Sequence, residues 1–445
     1  MSSLAERLRG LVAPTRRTTL EQDVVPPRPT TLDIADVLGG TWCERHGHPF
    51  LLVDRRYSSG HRHGRVSIAD AFPPDEGVWP RLSLLSGAKP APAPWAGRVL
   101  FLDLETTGLA GGAGTYAFLV GLAWFDGPAF RIRQFFLSSF VAERAILGAV
   151  AALAEGAAAL VTFNGKSFDI PLVETRFALH RLESPFEGRP HVDMLHIGRR
   201  FWRADGVSDD EASDDAARGR GCRLADLERS VCGHEREGDV PGFEIPARYF
   251  DYVRSGDARP LEPVLEHNRL DLLSLALLTA RVSQILDEGH GLTATAREAF
   301  ALGSIYERAG LFGEARDAYA RAAGLMTDGG AEPLWSAGRV DPATRAEALR
   351  AYALLARRER RFADAALAWQ RALEVRSCPP QIAREAAEAL AVHHEHRTRD
   401  LDGARRFAVQ SLQYRSTSSR THAVHHRLAR LDRKLGRPPD RAGLF

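Results

Sequence analysis

The chain has 445 residues, which suits two or three domains, and its 44% hydrophobic content is enough for packed cores. Its four cysteines are scattered without a disulfide framework, no signal peptide is visible, and no run of about 18 apolar residues could cross a membrane. These features argue against secreted disulfide-rich and membrane-spanning classes, and we expect a protein of the reducing cytoplasm.

The first region, residues 1–85, is predicted to be a small N-terminal section with a strand over 47–57. Several potential metal ligands lie close together here, namely Cys43, His46, His48, His61 and His63. Their spacing matches no zinc pattern, which favours loop or surface roles. A Pro/Ala stretch at 86–96 then predicts a stiff linker.

An apolar strand follows, and it ends in two acids and the turn sequence Thr106-Thr107-Gly108. Asp103 and Glu105 are two positions apart, so their side chains share one face of the strand. Neighbouring carboxylates repel each other, and a divalent cation with a preference for oxygen ligands would remove that penalty. The alternative interpretation is a strand that simply runs out into a polar loop.

Two more strands are predicted over 116–125 and 130–137, and a helix over 141–155. The Gly-rich turn at 111–114 is followed by a strand rather than a helix, so it does not match a dinucleotide-binding fingerprint.

Another short strand breaks at Asn164 and leads through Phe168 to Asp169, where a helical pattern begins. Asp193 precedes an apolar helix, and we interpret it as an N-cap rather than a metal ligand. The segment 204–221 is rich in Asp, Ala and Gly and is predicted to be a mobile insertion.

A later apolar helix is predicted to open at His267 and to carry Asp271. The two residues are four apart, so they lie one turn from each other on the same helix face. Asp271 joins the earlier acids. Together, Asp103, Glu105, Asp169 and Asp271 make a plausible cage for two cations.

These motifs resemble those of the DEDD 3′–5′ exonucleases of the ribonuclease H-like fold. Asp103 and Glu105 match the first motif, an acid-x-Glu-Thr-Thr-Gly strand. Asn164, Phe168 and Asp169 match the second, an Asn-x-x-x-Phe-Asp signature.

Asp271 matches the last acid of these enzymes, and His267 takes the place of the catalytic base. The chain is most similar to the YprB-like group, in which such a domain precedes tetratricopeptide repeats, and it shares the group's features at 238–242 and in the approach to His267 and Asn268. The resemblance covers roughly 97–285. It implies an α/β ribonuclease H-like domain over 97–288, with a mixed central sheet flanked by helices.

The resemblance also implies cofactors and roles. Two Mg²⁺ or Mn²⁺ ions, about 3.5–4 Å apart in such enzymes, would be held by the four acids. Substrate contacts would come from Thr106, Thr107, Gly108, Asn164 and Phe168. One departure concerns His267, which stands four residues before the last acid, the spacing of the Tyr-type enzymes. It is interpreted either as the base that takes a proton from water or as a hydrogen-bonding residue near the helix start.

From residue 292 the pattern changes to Ala-rich helical pairs, which predict an all-α, tetratricopeptide-like domain over 292–445 with a basic C-terminal helix. The first repeat match comprises Leu302, Gly303, Tyr306, Ala315, Tyr319 and Ala322. Residues 291–445 contain 26 Lys and Arg against 18 Asp and Glu, so this part could attract phosphates. Its concave surface is expected to dock a protein partner or to guide nucleic acid.

The sequence therefore predicts a metal-dependent 3′–5′ exonuclease that acts on the 3′ end of single-stranded DNA or RNA. Two other hypotheses stay open. One is a non-catalytic scaffold that binds nucleic acid or protein, and the other is a structure-selective endonuclease with the same metals. Discrimination between DNA and RNA depends on contacts to the 2′-hydroxyl, which the sequence does not locate.

Overall fold

The computed structural model describes residues 33–73, 78–87, 95–108, 114–203, 222–326, 341–414 and 418–436. The strands in these segments are β1 (Thr41–Arg45), β2 (His48–Tyr57), β3 (Arg62–His63), β4 (Val66–Ser67), β5 (Val78–Trp79), β6 (Trp95–Ala96), β7 (Val99–Thr106), β8 (Ala117–Asp126), β9 (Ala129–Phe136), β10 (Ala159–Thr162) and β11 (His191–Asp193).

The α-helices of the same segments are α1 (Ile34–Leu38), α2 (Ile68–Ala71), α3 (Glu143–Ala154), α4 (Asp169–Leu179), α5 (Met194–Phe201), α6 (Leu224–Leu227), α7 (Ile245–Ser255), α8 (Glu262–Glu288), α9 (Ala296–Ala309), α10 (Phe312–Ala323), α11 (Pro342–Arg358), α12 (Phe362–Glu374), α13 (Pro380–His393), α14 (Leu401–Ser411) and α15 (Ser418–Lys434). Single π-helical turns follow α6 (Glu228–Cys232) and α13 (His394–Thr398).

Seven strands form one mixed sheet in the order β1-β2-β9-β8-β7-β10-β11. Neighbours are antiparallel from β1 to β7, whereas β7, β10 and β11 run parallel. Helices pack on both faces of this sheet, and a succession of helices follows it along the chain. The predicted fold class, a ribonuclease H-like α/β domain followed by an all-α region, is confirmed.

The N-terminal section contributes directly to this sheet. Strand β2 pairs along its length with β9, from Leu51 opposite Phe136 to Tyr57 opposite Phe130. Within the predicted linker, Trp95 and Ala96 form β6, which pairs with β5. Residues 88–94 and the predicted insertion at 204–221 lie outside the described residues.

Strand β7 is buried on both faces, and its side chains alternate between two cores. Val99 and Phe101 join the core that contains much of α8, whereas Leu100 and Leu102 join the opposite core with residues of α3 and α4. Because strand side chains alternate, Asp103 follows Phe101 onto the α8 side. This alternation places the first acid of the site under the long helix.

Helix α8 begins at Glu262, five residues before the start predicted at His267. Pro263 lies in its first turn, a position where the missing N–H costs no helical hydrogen bond. The earlier start places His267 and Asp271 inside a formed helix, one turn apart.

Helices α9 to α14 pack as three consecutive pairs, and α15 packs on α14. Small side chains line the contacts, since Ala315, Ala318, Ala346 and Ala353 are each fully buried. The predicted C-terminal helix corresponds to α15, and residues 437–445 lie outside the described part. Within the described segments, no helix combines the length and apolar character needed to span a bilayer.

Candidate active site

Asp103 and Glu105 lie at the end of β7, opposite Gly121 and Leu119 of β8. Asp103 is half-buried and Glu105 is 8% exposed. The register of the two strands shifts after Glu105, which marks a β-bulge where the strand leaves the sheet. Both carboxylates are therefore held at the end of a rigid strand.

The side chain of Asn268, fully buried on α8, fixes Asp103. Its Nδ2 donates to Asp103 Oδ2 at 2.7 Å and to the Asp103 carbonyl at 3.2 Å. Gln134 Nε2 in turn donates to Asn268 Oδ1 at 2.9 Å. A Cβ added at Gly121 would lie 2.4 Å from Asn268 Oδ1, so this glycine makes room for the amide.

Asp169 is the first residue of α4, after a loop that Asp193 organises. Asp193 Oδ1 accepts from Asn164 N at 2.7 Å and from Leu195 N at 3.1 Å, and its Oδ2 accepts from Lys166 N at 3.1 Å. The predicted N-cap role of Asp193 is confirmed. Asn164 adopts a φ of +64°, a conformation that asparagine tolerates better than most residues.

Asp271 lies on α8 beside His267 and a buried arginine. Its Oδ2 is 3.7 Å from His267 Nε2, and its Oδ1 accepts from Arg236 Nη2 at 2.5 Å. The other ring nitrogen, His267 Nδ1, is 2.6 Å from Asp239 Oδ1. Asp239 thus fixes the imidazole ring and leaves its Nε2 edge facing Asp271.

Arg236 also contacts two further acids around this group. Its Nε donates to Glu228 Oε2 at 2.6 Å and its Nη1 to Asp239 Oδ2 at 3.1 Å. Burial opposes the charge of the guanidinium, but Asp271 and Glu228 outweigh burial and raise the pKa of Arg236. Arg236 therefore places a permanent positive charge at the edge of the acidic group.

The four predicted metal ligands interact electrostatically. Burial raises the pKa of Asp103 and of Glu105 well above the ordinary range, and the charges of Asp271 and Asp169 raise both further. Burial, followed by the charge of Asp193, raises the pKa of Asp169 to about 7. Asp103, Glu105 and Asp169 therefore resist ionisation, and the charge of Asp271 contributes to the raised pKa of each. Carboxylate oxygens are the ligands that divalent cations such as Mg²⁺ or Mn²⁺ prefer.

The predicted substrate residues border this group with different roles. Thr106 Oγ1 donates to the carbonyl of Gly108 at 2.9 Å, and Thr107 Oγ1 accepts from Tyr116 N at 3.0 Å. Both hydroxyls therefore stabilise the turn after β7. Phe168 is 57% exposed immediately before Asp169, so its ring is free to meet a ligand.

Three contributing residues, Arg236, Asp239 and Asn268, were not identified as site residues from the sequence. Asp239 and Asn268 fall in segments that carry the YprB-like resemblance, so a signal for them was present. Arg236 has no local signal, because it is 35 residues from Asp271 and reaches it only through the tertiary fold.

Comparisons with known proteins place the geometry in context. A model described as the RNase H superfamily matches residues 100–283. The chain is 30% identical over 396 residues to YprB of Bacillus subtilis (strain 168), whose name describes it as an uncharacterized protein, and the match covers 86% of each chain.

Among solved structures, the chain is similar to the family B DNA polymerase from the hyperthermophilic archaeon Pyrobaculum calidifontis, at 14% identity and a TM-score of 0.34. That similarity covers 52% of this chain and 30% of the polymerase chain.

Proposed function

The chain belongs to the family of YprB and contains an RNase H superfamily domain over residues 100–283, and on that premise we propose that it is a divalent-metal-dependent 3′–5′ exonuclease acting on DNA or RNA. The observation that carries the proposal is the interaction of four carboxyl groups from three elements, β7, α4 and α8. Acids at the end of a strand whose pKa values are raised by burial and by neighbouring carboxylates, as those of Asp103 and Glu105 are, are typical of functional sites.

In this proposal Asp103, Glu105, Asp169 and Asp271 hold two Mg²⁺ or Mn²⁺ ions. When bound, such ions stabilise negative charge on a phosphodiester and lower the pKa of a water molecule. Asn268 and Gln134 keep Asp103 aimed into the site, because both amides are fully buried and joined in one chain of hydrogen bonds.

His267 is proposed to accept the proton of the attacking water at Nε2. Asp239 accepts the hydrogen bond of Nδ1, which selects the tautomer whose Nε2 carries the lone pair. Burial opposes ionisation of Asp239, but its hydrogen bond with His267 lowers the pKa of Asp239 below the ordinary range. The carboxylate therefore stays charged and can stabilise an imidazolium after proton transfer.

The substrate is proposed to be a single-stranded 3′ end. The exposed ring of Phe168 offers a surface on which a terminal base can stack, an interaction that every base supports. Thr106, Thr107, Gly108 and Asn164 would approach the phosphate and sugar through the two turns they build. Such contacts do not distinguish DNA from RNA.

We also propose a division of labour along the chain, with a nuclease domain over 97–288 and a tetratricopeptide-like domain over 292–445. The three helix pairs of the second part would dock a protein partner or guide nucleic acid toward the site.

A non-catalytic scaffold is the second candidate, and the contact between Arg236 and Asp271 favours it. A guanidinium bonded at 2.5 Å satisfies one oxygen of an acid that a metal would otherwise use. The two functions differ in their metal dependence, since a scaffold would bind nucleic acid or protein without needing Mg²⁺ or Mn²⁺ at the four acids.

The test is digestion of 5′-labelled single-stranded DNA and RNA with Mg²⁺ or Mn²⁺, with Asp169→Asn as the inactive variant. Asp251→Asn, which alters a surface acid 60% exposed on α7, is the matched control. Progressive shortening from the 3′ end supports the exonuclease, and internal cuts would point to an endonuclease. If the wild-type chain binds nucleic acid without cleaving it, the result supports the non-catalytic scaffold instead.

A further inference from the structure

A second group of potential metal ligands lies away from the four acids. It consists of His63 on β3, Glu228 in the π-helical turn after α6, and His234, and one ligand atom from each lies within 4.8 Å of the other two. His63 Nε2 is 2.8 Å and His234 Nε2 is 3.6 Å from the same oxygen, Glu228 Oε1. Two imidazoles and one carboxylate oxygen therefore converge.

The shared oxygen is buried and poorly satisfied. Glu228 is fully buried, and its Oε1 has no hydrogen bond of acceptable geometry among the described residues. His63 Nε2 is also 2.9 Å from the hydroxyl of Ser274, and a single ring nitrogen can serve only one of these two neighbours well. Arg236 donates to the other oxygen, Oε2, so Oε1 is the atom of this carboxylate that a bound cation would satisfy.

The backbone around the cluster is built for close approach. Gly64 has a φ of +62°, and a Cβ there would lie 2.3 Å from the carbonyl of Cys232. The next residue, Arg65, donates its N–H to that same carbonyl at 2.8 Å. Glu228 and Cys232 bound a π-helical turn, a rare geometry that occurs frequently at functional sites.

From this geometry we propose that His63, Glu228 and His234 bind a transition-metal cation of the Zn²⁺ class. Two nitrogens and one oxygen suit Zn²⁺, whereas Mg²⁺ prefers oxygens alone. Three protein ligands leave one position for water, as in open zinc sites. The side chain of His234 is 27% exposed and provides the route of entry.

The cluster is linked to the four acids through one residue. Arg236 donates to Glu228 Oε2 at 2.6 Å and to Asp271 Oδ1 at 2.5 Å. A partner on the second carboxylate oxygen orients the ligating oxygen, as the outer contacts of metal ligands do. The site would thus fix the N-terminal section and Arg236 in place without taking part in hydrolysis.

The test uses Zn²⁺ alone as the probe, titrated by calorimetry into the chelator-stripped full-length chain kept in excess Mg²⁺. His234→Gln and Glu228→Gln remove ligands. His180→Gln is the matched control, because His180 also pairs with a buried glutamate, Glu143, at 2.7 Å and is 28% exposed. Asp103→Asn removes one of the four acids and separates this site from the proposed nuclease centre.

The wild-type chain, His180→Gln and Asp103→Asn are expected to bind one equivalent of Zn²⁺, and the two ligand variants at least about tenfold more weakly. The proposal would be overturned by unchanged affinity in His234→Gln, by loss of binding in Asp103→Asn, or by the absence of binding to the wild-type chain. The cluster would then be a buried ion pair without a metal. If circular dichroism shows that the ligand variants do not fold, Co²⁺ absorption of the wild-type chain decides. Four-coordinate bands support the site, and a six-coordinate spectrum refutes it.

Discussion

Arg236 donates to Asp271 at 2.5 Å, so a fixed positive charge neutralises one of the four acids that we assign to metal binding. The same guanidinium satisfies the fully buried Glu228. Its removal should therefore have two separable effects, one on the stability of the fold and one on the acidic group.

Arg236→Gln is expected to lower the free energy of unfolding by about 3 kcal/mol, because it leaves the buried Glu228 carboxylate without its cation. Denaturant unfolding measures the loss. In the double variant with Glu228→Gln, the loss should be clearly smaller than the sum of the two single losses. Additive effects would show that the two side chains do not stabilise each other.

Asp103→Ala is expected to fold normally and to lose nuclease activity by at least about 100-fold. Mutation of a residue that only hydrogen-bonds to a metal ligand can already reduce activity by up to about 100-fold, and Asp103 is proposed as a ligand itself. Without metal, its melting temperature should stay level or rise, because one source of repulsion among the acids is gone. Metal-dependent digestion and thermal melting measure the two effects. Wild-type hydrolysis by this variant would refute the assignment of Asp103, and Asp251→Asn should leave both readings unchanged.

The group at Asp103 was predictable because local rules place its members. Strand alternation puts Asp103 and Glu105 on one face, and the helical period puts His267 and Asp271 on another. The turn after β10 leads to Asp169, whose charge reaches Asp103. All three placements depend on residues close in sequence, so a motif describes them well.

The remaining contacts depend on the tertiary fold alone. The pairing of β2 with β9 joins residues about 80 apart, and the hydrophobic pattern of β2 does not name its partner. His63 meets Glu228 in the same way, over a much longer separation. The histidines of the N-terminal section match no zinc spacing because two of the three residues that we propose as ligands, Glu228 and His234, come from the region after α6.

Metal binding is expected to release protons near neutral pH. Burial and Asp193 raise the pKa of Asp169 from 3.8 to about 7, so the charged form is disfavoured in the folded state. Metal-free stability should therefore fall as the pH rises from the ordinary value through the raised one. Calorimetry of Mn²⁺ binding in buffers of different ionisation heat should show proton release at about pH 6 and less at about pH 8. Equal release at both values would contradict the raised pKa.

Glu395 is expected to hold α15 against the preceding helices. Arg430 Nη2 and Lys434 Nζ lie 2.6 and 3.0 Å from its two oxygens. Burial opposes ionisation, but these donors lower the pKa of Glu395 from 4.5 to about 2. The stabilisation is present above the ordinary pKa and is lost as the pH falls toward the lowered one.

Glu395→Gln should therefore increase hydrogen exchange in α15 at neutral pH, and the difference from wild type should shrink as the solution is acidified. Glu374→Gln is the matched control, since Glu374 is 69% exposed and its pair with Arg371 is long, at 3.9 Å. Equal exchange in wild type and Glu395→Gln would show that α15 is held by its apolar contacts alone.

Gly121→Ala is expected to disturb the site without changing any acid. The added Cβ would lie 2.4 Å from Asn268 Oδ1 and 2.8 Å from Leu272 Cδ1, so these two side chains of α8 must shift away from β8. We expect a loss of about 1–3 kcal/mol in the free energy of unfolding, as for other overpacked cores. The displaced Asn268 amide would no longer hold Asp103 in place, so activity should fall even where the protein is fully folded. Gly60→Ala, whose Cβ meets nothing within 4 Å, is the control, and equal activity in both variants would show that the position of Asn268 is not critical.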